Sequence, residues 1–134
     1  EEAAFITVKS VPFDEIPFRL NAGDVAFALR KPTFSMQGVA PIKLGEYLLM
    51  NLPTIASKGI GDTEEILKNR TECYLYDHTE QIGMQQNRIF AWLDAMRKLQ
   101  TKDTRAMALK SFSLAGSAQS YQTALSKTFS QDEN

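Results

Sequence analysis

Short β-favouring runs alternating with segments that carry helix start and stop signals restrict this chain more than any other feature. "AAFITVKSV" holds Phe5, Ile6 and Val8 with no helical period and reads as a first strand. "DVAFALRK" is nearly continuous in apolar residues from Val25 to Leu29, the pattern of a strand covered on both faces. "TIAS" and "ECYLYD" supply a third and a fourth. Strands joined by helical connections long enough for right-handed crossovers predict an α/β fold: a parallel sheet of about four strands with helices on both faces.

The connections have their own signals. In "FDEIPFRLNAGD", Asp14 is placed to cap a short helix, Pro17 falls in its first turn and Gly23 can supply a left-handed stop. In "APIKLGEYLLMNLPTIAS", Pro41 stands at a favoured first helical position, and Asn51 and Pro53 end the helix after Met50. "GIGDTEEILKN" has Asp62 and Glu65 at capping-box spacing. Beyond the fourth strand only helices are predicted. One runs from about Glu80 to Leu99 with Ile89, Leu93, Met96 and Leu99 on one stripe; the tail from Thr101 to Phe129 is broken at Gly116 and Ser117. The 134 residues are the length of one domain, of which 80–134 reads as a helical tail.

A chain that is 43% hydrophobic and 23% charged can bury a core, and a net charge of −1 gives no field to draw it onto nucleic acid. A single cysteine, Cys73, and a single histidine, His78, exclude a disulfide framework and leave too few soft ligands for a structural zinc site. The setting predicted is reducing and cytoplasmic, since nothing resembles a signal peptide and no apolar run nears the roughly 20 residues that cross a bilayer. Arg97, Lys98, Lys102, Arg105 and Lys110 make a basic run, either a solvated helix face or a peripheral contact with the inner face of a membrane. A start on Glu1-Glu2 without methionine points to an excerpt, or a processed piece, of a longer protein.

In an open α/β sheet, ligands bind beyond the carboxyl ends of the strands, where loops enter helix N-termini whose N–H groups can seat a phosphate. Two such places are legible: the loop from Arg30 to Ala40 entering the helix at Pro41, and "SKGIGDT" entering the helix at Asp62. Lys43, near the start of its helix, is unfavourable to the dipole unless an anion binds there. Glu46 lies one turn on, on the same face, and two carboxylate oxygens match the vicinal hydroxyls of a ribose. An intrahelical Lys43–Glu46 pair at three-residue spacing is the simpler alternative. Other candidates have plain readings. His78 suits a surface turn with no nucleophile beside it, Cys73 a small core residue, Glu65 a capping partner, and Phe90 and Trp92 core or interdomain packing, while Glu64 could approach a ligand.

Taken in order, "VPFDEIP", "LNAGDVAFAL", "APIKLGEYLLMNLPTIAS" and "KGIGDTEEIL" resemble the C-terminal, nucleotide-sugar-binding half of family 4 glycosyltransferases of the GT-B fold. The resemblance runs from about Phe5 to Tyr76, and "LKSFSLAGSAQSYQTAL" is similar to the family's closing helices. It implies a partial, Rossmann-like parallel sheet and a metal-independent glycosyl transfer from a nucleoside diphosphate sugar to an acceptor glycan or lipid, as in polysaccharide biosynthesis, similar to retaining enzymes but with the retaining or inverting outcome left open. Glu46 stands where the family's glutamate binds the ribose, and the backbone of Val39, Ala40, Ile42 and Lys43 where amides hold the diphosphate and sugar; Pro41 has no N–H to give. Gly38 departs from members with a second glutamate eight positions before the first, and "PIKLGEY" resembles the subgroup that lacks it. Asn51 replaces the usual glycine at the helix end. The catalytic residues are not readable.

The family's two leading strand-helix units and its acceptor-binding N-terminal domain have no counterpart in these residues. The resemblance places the first strand at one edge of the parent sheet, separated from the other three. Such a piece alone is expected to be inactive, and unstable or dimeric by strand exchange. A noncatalytic α/β interaction module that has lost the donor site is the alternative function.

Overall fold

The computed structural model describes residues 5–99 and 103–129. Three parallel strands form one open sheet in the order β1-β2-β3: β1 Ala26–Ala28, β2 Thr54–Ser57 and β3 Cys73–Tyr76. Ala28 pairs with Ala56 and Ala56 with Leu75, so these three share one face of the sheet; Phe27, Ile55 and Tyr74, one residue out of phase, share the other. The α/β class and the parallel sheet with helices on both faces hold. The strand count does not.

Residues 6–10 are irregular, and Phe5, Ile6 and Val8 are 93%, 71% and 90% exposed. A β-favouring run becomes a strand only when a neighbour completes its hydrogen bonds, and among the described residues no strand lies beside these. The other three runs form one contiguous sheet because each borders the next. β1 corrects a second expectation. It is three residues long, and Phe27 is 58% exposed, so this strand is covered on one face only.

Helix α1 spans Ile16–Leu20 after a 3-10 turn at Phe13–Glu15, with Pro17 in its first turn. Asp14 makes no cap hydrogen bond because it lies inside that turn, and Gly23 is not left-handed. Helix α2, Ile42–Leu49, follows Pro41 and ends at Met50, with Asn51 left-handed at φ 56° as its side chain allows. Helix α3, Thr63–Ile66, begins after Asp62, but no capping box forms: Asp62 makes no side-chain cap bond, and Glu65 turns to Lys68 at 3.7 Å.

α4, Ile82–Lys98, lies over the Tyr74 face: the Tyr74 and Trp92 rings are 6.1 Å apart and the Trp92 indole N–H donates to the Thr71 carbonyl at 2.9 Å. Its inward stripe includes Ile89, Leu93, Met96 and Leu99 as the period predicts, and also Gln85. Fully buried Gln85 is satisfied by Asp77, donating to its carbonyl at 2.6 Å and accepting from its N–H at 2.9 Å.

The opposite face carries the core, Leu44 and Leu48 of α2, Ala56, Leu67, and Ala108 of α5, the helix Arg105–Phe112. Gly45 lets α5 approach: a Cβ there would stand 2.6 Å from the Phe112 ring. Thr104 and Arg105 close the carbonyl end of α2, with the buried Thr104 hydroxyl donating to the Leu48 carbonyl at 2.8 Å and the Arg105 guanidinium to that of Leu49 at 3.0 Å. The Arg105 N–H donates to Asn51 Oδ1 at 2.9 Å. Helix α6, Leu114–Phe129, is separated from α5 by the single residue Ser113. The break is at Ser113, whose hydroxyl accepts the Gly116 N–H at 3.0 Å, so Gly116 and Ser117 lie inside the helix and do not interrupt it. Lys102 of the basic run lies outside the described residues.

Candidate functional site

Beside β1 a cleft of about 550 Å³ opens between Ile16 of α1, residues 27–30 and the start of α2. Val39, Ala40, Ile42, Lys43 and Glu46 all line it, and Ala56, Ile60 and Thr63 complete the wall. The carboxyl end of β1 contributes Arg30. The cleft also runs along the outer edge of β1 past Phe27, Ala28 and Leu29, so its flank is apolar and its end is charged.

Two loops set this shape. Residues 34–38 make a 3-10 turn, and the Gly61 N–H donates to the Met36 carbonyl at 2.8 Å, joining the second loop to the first. Gly61 has φ +44°, and a Cβ on it would lie 2.0 Å from the Val39 carbonyl oxygen; no other residue fits there. The second loop is not an open anion seat. Its Gly59 N–H is taken by the chain's own Glu64 carboxylate at 3.1 Å, which assigns Glu64 to the loop and leaves the α2 entrance as the better seat.

At that entrance the amides divide. The Val39 N–H donates to the Met36 carbonyl at 3.3 Å and the Ile42 N–H to the Ala40 carbonyl at 2.9 Å, while those of Ala40 and Lys43 have no acceptor among the described residues. Val39 and Ile42 therefore serve the cleft as wall, and Ala40 and Lys43 as available donors. Glu46 is half-buried, and Lys43 does not pair with it: neither makes an ion pair among the described residues. Helical spacing permits that pair, but in the structure the two charges face the cleft separately. Burial, and then the Glu46 charge, push the Tyr47 hydroxyl up from its ordinary value, so it stays protonated at neutral pH. A Cβ on Gly38 would meet nothing within 4 Å, so its lack of a side chain leaves open space.

Arg30 is the site residue that motif reading missed, although its position just past the carboxyl end of a strand is a usable signal. The structure gives His78 a partner. It lies in a turn, as expected, but Ser57 Oγ is 2.8 Å from its Nε2 and the ring stands edge-on to Tyr76. Ser57 is completely buried, so no substrate reaches its hydroxyl, and the pair is not a nucleophile with its base. Next to it, the Thr79 N–H and hydroxyl and the Lys58 ammonium at 3.1 Å hold the Asp77 carboxyl well below the usual carboxylate range. Burial pushes the Cys73 thiol up to about 12, removing it as a nucleophile at neutral pH. Arg88 pairs with Glu80 away from the cleft.

Among the described residues no three His, Cys, Asp or Glu side chains converge on a metal position, and no helix is long and apolar enough to cross a membrane. Compared with known families, curated proteins and solved structures, the chain gives no match.

Proposed function

We propose that this chain is the donor-binding part of a glycosyltransferase and that the cleft at the start of α2 holds a nucleoside diphosphate sugar. The observation that carries the reading is a half-buried, unpaired Glu46 one helical turn from Lys43, in one cleft with Arg30 and the available N–H groups of Ala40 and Lys43. Glu46 accepts both hydroxyls of the ribose. Lys43, Arg30 and the two amides face the diphosphate, and Val39 and Ile42 bound the pocket. Transfer forms a bond from an acceptor hydroxyl oxygen to the anomeric carbon as the bond between that carbon and the diphosphate oxygen breaks; the hydroxyl proton passes to a base, and the cations stabilise the charge left on the diphosphate. The acceptor, a glycan or a lipid, and any general base come from outside this cleft. The reaction is placed in the cytoplasm, at the inner face of the membrane where a lipid acceptor is used.

Glu46→Gln in the full-length protein tests this by calorimetric titration with UDP-, GDP- and ADP-sugars. Loss of the charged acceptor weakens binding about 10-fold or more, as expected for a hydrogen bond to a charged group, at an unchanged melting temperature. A wild-type protein that binds none of the three, or a variant that binds as wild type, overturns the assignment.

One observation favours a second reading. The apolar flank along the outer edge of β1 suits an extended polypeptide, as in a noncatalytic interaction module. Under that reading the full-length protein binds no sugar nucleotide, and Phe27 and Leu29 substitutions alter protein partners only.

A further inference from the structure

The register between β1 and β2 ends at Ala28 and Ala56, and beyond it the first strand must leave the sheet. The Arg30 N–H does not lose its partner there: it donates to Ser57 Oγ at 2.9 Å, a side chain continuing where the backbone ladder stops. Ser57 is fully buried, and its oxygen is 2.8 Å from His78 Nε2. With the imidazole proton on Nδ1, the chain has one polarity: the Arg30 N–H donates to Oγ, and the Ser57 O–H donates to Nε2. Each link polarises the next. His78 is held in turn by the edge of the Tyr76 ring, centroids 4.8 Å apart, and the exits of β2 and β3 are tied again by Lys58 and Asp77 at 3.1 Å. Residues from the ends of all three strands thus fix the backbone of Arg30.

Arg30 lines the cleft. Its guanidinium reaches Met36 Sδ at 3.9 Å and has no carboxylate at ion-pair distance among the described residues. We propose that Ser57 and His78 are positioning residues that hold Arg30 for the diphosphate of the donor, an inference that rests on the donor-site reading above. With the backbone fixed, only side-chain rotamers remain to be ordered when the anion binds, so less freedom is lost on binding.

The test uses the full-length protein and compares UDP, GDP and ADP with their own nucleosides. The ratio of nucleoside Kd to diphosphate Kd, taken within each variant, reads the diphosphate contribution alone. Arg30→Gln lowers that ratio about 10-fold, the scale of a hydrogen bond between charged groups. Ser57→Ala and His78→Phe lower it about threefold or more, Ser57→Thr restores it, and Ser57→Ala adds nothing on top of Arg30→Gln, which a general loss of stability does not mimic. If Ser57→Ala fails to fold, His78→Phe carries the test alone. A wild-type ratio in the Ser57 or His78 variants overturns this inference and leaves the donor site standing. Failure of wild type to bind any of the nucleotides overturns both.

Discussion

The two faces of the sheet are built differently. On one, Ala28, Ala56 and Leu75 are roofed by α2 and α5, with Leu44, Leu48 and Ala108 at 1% exposure or less. On the other, α4 covers the β3 side through Trp92 and Tyr74, Ile55 is buried, and Phe27 at the β1 edge is left 58% exposed. The cleft lies where the covered part ends. A rigid, well-packed side next to an incompletely covered edge gives a binding surface fixed in position yet open to a ligand or another polypeptide.

That contrast can be broken in order of effect. Leu48→Ala on the covered face should cost about 3 kcal/mol, because a fully buried leucine leaves a cavity that its neighbours fill only partly. Urea unfolding measures it, and a cost below about 1 kcal/mol denies the core assignment. Thr104→Val should cost about 1 kcal/mol by removing the buried hydroxyl from the Leu48 carbonyl, which keeps the Asn51 N–H at 3.0 Å, as judged by the same unfolding midpoint. Phe27→Ser should stay within about 0.5 kcal/mol in the free protein. A larger cost in a complex whose partner covers the β1 edge would sharpen the comparison in favour of a docked strand.

The smallest effect is expected at the carboxyl edge of the sheet. The folded Asp77 carboxyl is depressed, so its stabilisation is fully present above the unfolded value, about 4, and is lost as the pH falls through the folded value. Asp77→Asn should therefore flatten the stability profile below about pH 4 and leave the pH-dependence between 5 and 8 unchanged. An unaltered acid limb would mean that Thr79 and Lys58 do not hold this group in solution.

The same division separates what was legible in the residues from what was not. The runs at 54–57 and 73–76 become strands because each sits beside a neighbouring strand, whereas the equally β-favouring Phe5, Ile6 and Val8 form no strand. Cap signals were less dependable: Asp62 and Glu65 have the spacing of a capping box, but Glu65 pairs with Lys68 and Glu64 takes the loop amide. Ser113, without a strong motif around it, caps α6. Hydrogen bonds at helix ends compete with tertiary partners, which local spacing does not reveal.

For the candidate site, the sequence alone determined that Lys43 and Glu46 share a helix face behind a loop at a strand's carboxyl end, since helical period and chain order are local properties. Tertiary structure decided the rest. It kept Lys43 and Glu46 unpaired, took up the Val39 and Ile42 amides, and brought Arg30, Ser57 and His78 together from three different strand exits. Ser57 lies 27 residues from Arg30 and 21 from His78, and only the parallel register of the three strands closes those distances to hydrogen-bond length.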